Sequence, residues 1–395
     1  MRKGSDHLWQ GVHRPKAYRE QIVGAPYSWH SGARGLAPRW PLTPPLLADE
    51  LLSSWLVRTA LAHGCPISSL TYAVWPRVRA WTRDLDRGLD HQRLIALAEI
   101  TDLSVSQVAA ATLAPAARSL RLASETLPIG TWPWILALGC RNRSHAGGLQ
   151  CCPECIADPT PHYLIQGRLA WHTACAKHQV QLIDRCPHCF APLQPGLLLP
   201  GASICRCHRC RWPLGECQRI PSKPSALAFQ AHVDRSLGHT IAFGRVELTF
   251  SEWMFVARVM IGFLQGAARY CSAEAAGFFR AIGIEPSNLQ PIATGLQLEY
   301  LGPVERAGLI ESVWAIMRAG PERFMDLAAN ASLPASVLPI PAKGSPDILV
   351  RMASVLKKRT RARTDKPDHQ YPRKPREVLR MWLRLQRRMR RNGGG

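Results

Sequence analysis

Cysteine is the residue in this chain whose type and spacing could do chemistry. Ten of the 13 cysteines fall between Cys151 and Cys217. Within that stretch stand Cys152-Pro153-Glu154-Cys155, Cys175-Ala176-Lys177-His178, Cys186-Pro187-His188-Cys189 and Cys207-His208-Arg209-Cys210. A Cys-x-x-Cys turn brings two thiolates close enough to share one tetrahedral metal, and two such turns complete four-coordination. The last two pairs are 17 residues apart, inside the spacing of zinc ribbons. The pattern predicts two structural Zn²⁺ ions. Cys152, Cys155, Cys175 and His178 would hold the first, and Cys186, Cys189, Cys207 and Cys210 the second. Spacing alone leaves sequential and interleaved ligation equally open, and Cys151, Cys205, His172 or His208 could replace a neighbour.

Catalytic zinc keeps an open position beside three protein ligands. Each set here offers four donors, mostly thiolates, so the expected role is to hold a small segment folded. Pro153-Glu154-Cys155 lacks the upstream His-x-Glu of the zinc deaminases. No P-loop, Ser/His pairing or metal-binding carboxylate cluster accompanies it, so the expectation is a protein that is not an enzyme.

Those cysteines need a frame. At 395 residues the chain suits two or three folding units, and 46% hydrophobic residues suffice for buried cores. Residues 1–40 lack periodicity and read as an irregular extension. A helix is expected from Glu50 through Ala60, with Asp49 as N-cap and Gly64 as its stop. Ser68 or Ser69 would open another before Trp75-Pro76. From His91 to Leu113, two short apolar helices are separated by Thr101-Asp102-Leu103, and Ser104 caps the second. That pair is compatible with a helix-turn-helix, in which Ser106 and Gln107 would lie nearest the bases. Residues 225–340 read as helical, with amphipathic stretches at 250–270 and 304–319, the latter stopping at Gly320-Pro321. A Pro-rich break at 338–346 precedes a short helix. The fold class is therefore mainly α, with an N-terminal helical unit (41–145), a double zinc-binding module (146–220), a C-terminal helical unit (221–350) and a basic tail (351–395).

Charge speaks to partners. Fifty Lys and Arg against 28 Asp and Glu give +22 and a pI near 10.1, which favours a polyanion held by counterion release. Between Lys357 and Arg391, fifteen basic residues face Asp365, Asp368 and Glu377, a local net of +12. Lys357, Lys358, Arg359, Arg361, Arg363, Arg384, Arg387, Arg388, Arg390 and Arg391 are the candidate phosphate contacts. Val378, Leu379, Trp382 and Leu383 interleave with arginines, as in a basic amphipathic helix; Trp382 could instead dock on a protein. The stretch Trp253–Leu264 is interrupted by Arg258 and too short for a membrane span. Arg2 and Lys3 are followed by no apolar core, so no secretory signal is expected. The expected location is the cytoplasm, with nucleoid association when bound to DNA, and a reducing compartment favours metal over disulfides.

The helix around Asp49-Glu50-Leu51-Leu52-Ser53-Ser54-Trp55-Leu56-Val57-Arg58 follows a Pro-rich opening. After it come Cys152–Cys155, the aromatic stretch from Tyr163 to Trp171, Cys175–His178 with Val180 and Leu182, and Cys186–Cys189. In that order, over about residues 41–215, the chain resembles the TniQ family. Arg306 through Phe324 also resembles the C-terminal half of transposon TniQ proteins. The resemblance implies a non-catalytic transposition subunit that works with a DDE transposase and an AAA+ ATPase to choose the insertion site. In CRISPR-associated relatives TniQ bridges an RNA-guided effector to the ATPase, in some cases as a homodimer. In others, TniQ or the larger TnsD reads DNA directly. The competing reading is a zinc-ribbon DNA-binding transcription regulator unrelated to transposition, which accounts for charge and metal but not for the order of the motifs.

Overall fold

In the computed structural model, the described residues are 39–121, 132–138, 148–267, 273–287, 289, 296–331, 333–340 and 345–357, with Val378 and Trp382. The apolar face around Trp55 forms a helix, α1 (Leu52–Ala62), burying Leu52, Trp55, Leu56, Val57 and Ala60. It starts two residues later than the sequence suggests, because its first amides are met from far away. Ser53 N–H donates to Asp86 Oδ1 at 2.9 Å and Leu52 N–H to the Ala111 carbonyl at 2.7 Å. Asp49 is therefore not the N-cap. It takes a left-handed conformation (φ 55) and accepts from Gln166 Nε2 at 3.0 Å. Gly64, at φ +63, ends the first helical segment as expected.

Four shorter helices follow: α2 (Ile67–Val74), α3 (His91–Ile100), α4 (Val105–Ala110) and α5 (Ala114–Ser119). Asp90 caps α3 through the Arg93 amide, and Ser104 caps α4. Residues 148–222 contain only single 3₁₀ turns and isolated β-bridges. Then come α6 (Pro224–Arg235), an antiparallel hairpin of β1 (Thr240–Phe243) and β2 (Val246–Thr249), α7 (Phe250–Ala267), α8 (Ala273–Ala281), α9 (Pro303–Asn330) and α10 (Asp347–Ser354). The described residues are thus mainly helical, with a single two-stranded sheet. The hairpin was hidden inside a stretch that reads as helix. Its signal is the alternation of Ile241 and Phe243, then Leu248, about Gly244-Arg245, and those three apolar side chains are buried.

Gly320-Pro321 bends the chain without ending it. Helical turns continue on both sides, with Gly320 at φ 80. The hairpin turn fills the bend: a Cβ on Gly320 would lie 3.2 Å from the Gly244 Cα, and one on Gly244 would collide with Pro321 and Glu322. α6 and α7 pack on α9. Phe263, Phe278, Phe279 and Phe324 meet with ring centroids 5.3–6.0 Å apart. One continuous buried cluster runs from Leu51 to Leu356, through the cysteine-rich segment as well as the helices.

Candidate metal centres and the frame that holds them

Each cysteine turn is shaped by backbone bonds before any metal is considered. At Cys175, Cys186 and Cys207 the same arrangement recurs. The amide of the residue after the second donor (Gln179, Phe190, Arg211) donates back to the first cysteine's carbonyl at 2.8–2.9 Å. Those three residues take φ 54, 55 and 62. The first cysteine's amide then bonds the carbonyl of Val180, Ala191 or Trp212. The chain is thereby folded back so that side chains three residues apart point to one spot. The Cys152 turn closes in the same way, with the Ile156 amide on the Cys152 carbonyl, but runs on into the 3₁₀ turn Cys155–Ala157 without a positive φ at Ile156. Amides also point at sulfur, His178 N–H to Cys175 Sγ at 3.5 Å and Arg209 N–H to Cys207 Sγ at 3.4 Å.

Two groups of four donors result, Cys152 with Cys155, Cys175 and His178, and Cys186 with Cys189, Cys207 and Cys210, each gathered within 4.8 Å. The grouping follows sequence order. His178 Nδ1 lies 3.4, 3.3 and 3.6 Å from the sulfurs of Cys152, Cys155 and Cys175, and Cys155 lies 3.7 Å from Cys175. In the second group, Cys186–Cys210 and Cys189–Cys207 are both 3.6 Å. Zinc–sulfur bonds of about 2.3 Å and zinc–nitrogen bonds of about 2.0–2.1 Å make tetrahedral edges of about 3.8 Å and about 3.6 Å. The donor sets therefore fit a tetrahedral cation. They do not fit disulfides, whose sulfurs sit about 2.05 Å apart, and these thiols are free.

Electrostatics point the same way. Its hydrogen bond with Cys152 draws the Cys175 thiol down to about 5, while the same bond and burial push Cys152 above the ordinary thiol range. Burial, with the Cys175 charge beside it, raises Cys155 to about 11. Burial raises Cys186 to about 12. The opposite directions of these shifts reflect three sulfurs too crowded to carry their charges together. A divalent ion would convert all three to thiolates by displacing protons.

The four alternative donors lie outside both groups. Cys151 is buried and pairs its backbone with Ile183. Cys205 Sγ is 3.0 Å from Ser203 Oγ. His172 Nε2 is 3.0 Å from Asp234 Oδ1, which also accepts from Trp171 Nε1. His208 is half-buried, its imidazole held below its ordinary value by burial.

The frame depends on buried charges that pattern reading overlooked. Arg168 is fully buried, bonding Asp84 with both Nη atoms, Asp86 at 3.0 Å and the Leu136 carbonyl at 2.9 Å. Burial lowers its hold on the proton, but the two carboxylates more than reverse that, and it stays a cation. Arg306 of α9, also buried, donates to Gln150 Oε1 and, at 2.8 Å, to the Leu301 carbonyl. Gln150 in turn donates to the His172 carbonyl at 2.9 Å. Glu299 accepts from the Trp134 amide and Arg258. Glu50 accepts from Ser54, Arg58 and the Leu47 amide. The available signals were Asp84-x-Asp86 and an arginine inside Gly167-Arg168-Leu169-Ala170-Trp171. Neither has a period of its own.

The candidate DNA contacts fare differently. Ser106 and Gln107 are exposed on α4, but Gln107 Oε1 accepts from the Ser104 amide at 2.8 Å and its own amide donates to Ser104 Oγ, a closed capping box. Lys357 is exposed, its backbone paired with Leu333 and Ala335. Lys358, Arg359, Arg361, Arg363, Arg384, Arg387, Arg388, Arg390 and Arg391 lie outside the described residues. Val378 and Trp382 are helical and more than half exposed.

Residues 41–182 match the TniQ family. That stretch of the chain is similar to TniQ. No curated protein matches the chain. The TniQ match takes in α1–α5 and all four donors of the first group. It ends at Leu182, so the four-cysteine group and the segment 306–324 lie beyond it. Within the matched stretch the Glu50–Leu164 bridge and the Arg168 cluster tie the region of α1 to the cysteine-rich segment. Among the described residues no helix is long and apolar enough to cross a membrane.

Proposed function

We propose that the chain is a non-catalytic targeting adaptor of a DNA transposon, linking target DNA, or a complex already bound there, to an AAA+ ATPase and a DDE transposase. The observation that carries this reading is the TniQ match over α1–α5 and the first donor group. The charge of +22 supports a polyanionic target. Zinc is the metal these donors suit: three sulfurs with one imidazole, and four sulfurs, at tetrahedral spacing. With four protein donors at each centre no position is left for water or substrate, so the ions hold the segment 146–220 folded between the helical parts. Direct DNA contact is assigned to the tail and to the exposed end of α4.

The test is reconstituted transposition with the cognate ATPase and transposase, with insertion sites mapped by sequencing. With the chain present, insertions should concentrate at a defined site. Without it they should scatter or disappear, while strand transfer on a pre-cut substrate persists. An unchanged insertion map would overturn the adaptor reading.

A further inference from the structure

The four-cysteine centre carries a surface that its structural role does not need. From Arg185 to Gly215 the chain has no acidic residue, while it holds Arg185, Arg206, Arg209 and Arg211. Among the described residues Arg206, Arg209 and Arg211 make no ion pair, and all three are exposed. Arg206 is nevertheless placed, since its Nη1 donates to the Arg211 carbonyl at 3.0 Å. The two turns that carry the aromatic residues meet at the four sulfurs, with Cys189–Cys207 and Cys186–Cys210 both at 3.6 Å. His188 stacks flat on Trp212, with centroids 4.7 Å apart and an interplanar angle of 6°. Phe190 is 68% exposed.

Phe190 and Arg211 occupy equivalent places, each just after the second cysteine of its turn and each at positive φ. The turn requires that conformation, because the amide there closes onto Cys186 or Cys207. For a residue other than glycine the left-handed region costs about 1–2 kcal/mol. Gly or Asn would meet the requirement at lower cost. Phe190 thus bears both backbone strain and an exposed ring, with no burial in the chain to offset either, as residues strained for a purpose do. A shallow groove lined by Leu199, Ser203, Arg206 and Arg211 lies beside the turn.

We propose that this tip is a nucleic-acid contact, in which Phe190 stacks on an unpaired base while Arg206, Arg209 and Arg211 hold the flanking phosphates. Aromatic platforms among unpaired arginines are the means by which proteins hold single-stranded or locally opened nucleic acid without reading sequence. The inference rests on the targeting function above and adds to it a preference for distorted or opened DNA.

The experiment uses the full, zinc-loaded chain and fluorescent oligonucleotides, one single-stranded, one duplex and one duplex with a short unpaired bubble, across a salt series. Each phosphate contact contributes about 0.7–0.9 to the slope of log affinity against log salt. Replacing all three arginines by alanine should flatten the single-strand slope by about 2–3. Phe190→Ala should weaken single-strand and bubble binding by roughly 5- to 100-fold, the range for loss of one base stack, leaving the slope unchanged. Phe190→Trp should retain binding. Two zinc ions per chain and an unchanged near-ultraviolet spectrum check that the variants are folded. Wild-type binding and slope in the folded variants would overturn the tip and leave the targeting function standing. So would a Phe190→Ala defect confined to the ATPase or another protein, which would make the tip a protein contact. Failure of the wild type to bind any nucleic acid would overturn the tip and direct DNA contact together, leaving only attachment to a complex already bound at the target.

Discussion

Arg168 and Asp86 meet at 3.0 Å in the interior, and the other oxygen of Asp86 receives the amide of Ser53 at the start of α1. A residue between the first and second donor turns is thereby coupled to α1, near the start of the stretch that matches TniQ. Arg306 makes a second link, from α9 to Gln150 beside Cys151. The two arginines are equally buried but differently partnered. Arg168 bonds two carboxylates, whereas the direct acceptors of Arg306 are neutral, and burial draws its pKa down to about 10.

That difference predicts an order of effects. Arg168→Met leaves Asp84 and Asp86 without their cation in a buried site, a loss on the order of 3–5 kcal/mol. Arg306→Met strands neutral acceptors and removes a cation that burial already disfavours, a loss of about 1–3 kcal/mol. Urea unfolding midpoints of the two variants at equal zinc occupancy should rank Arg168→Met well below Arg306→Met. Equal midpoints would show that the carboxylates do not hold Arg168 as described.

The sequence showed the donors more readily than their supports. Thiol spacing survives folding because four donors must converge on one point, so local turns announce it. Sequential ligation could not be read from spacing, since either grouping uses the same turns; distances such as Cys155–Cys175 decide it. Asp49 failed as a cap because Asp86, 33 residues away, already met the Ser53 amide. Arg168, Arg306 and Glu299 leave no periodic trace, because a buried charge is defined by its distant partner. The hairpin 240–249 was masked by helices on either side, although its alternation was present.

The bend in α9 yields a second prediction. Gly320 (φ 80) and Gly244 (φ 63) approach closely: a Cβ on Gly244 would fall 2.7 Å from Pro321 Cδ, and one on Gly320 would crowd the Gly244 Cα at 3.2 Å. Gly320→Ala and Gly244→Ala should each lower stability by about 1–3 kcal/mol, from positive-φ strain plus collision. Gly64 supplies the control: φ is +63 but nothing lies within 4 Å of an added Cβ. Gly64→Ala should therefore cost about 1 kcal/mol. Thermal scans of the three variants check the ranking.

The capping box on α4 separates stability from DNA contact. Ser104→Ala removes a cap worth about 1 kcal/mol, and should lower the melting temperature without changing DNA affinity. Ser106→Ala keeps the mutual bonds of Ser104 and Gln107 and removes only the 2.9 Å contact between the Ser106 and Ser104 hydroxyls. If the end of α4 faces bases, Ser106→Ala should alter preference among duplex sequences while lowering stability by less than Ser104→Ala does. Competition binding with randomised duplexes measures this, and an unchanged preference would take α4 out of the DNA contact.

The metal centres make the most exact demand. Two tetrahedral sites of different composition should bind two zinc ions per chain and, after exchange with ¹¹³Cd, give two resonances separated by the S₃N and S₄ environments. His178→Cys should move only the first resonance, toward the all-thiolate position, because Nδ1 of His178 touches Cys152, Cys155 and Cys175 and none of the other four donors. Cys189→Ser should disturb only the second. Movement of both resonances in either variant would mean that the ligands are shared between sites. Chelation should also be felt far from sulfur. Residues 148–222 have only bridges and short turns of their own, yet Tyr163 bonds Ser54 at 2.9 Å and Arg168 bonds Asp86. Stripping the metal should therefore raise amide exchange in α1 as well as in the cysteine turns, while α7, whose buried face packs on α9, retains its protection.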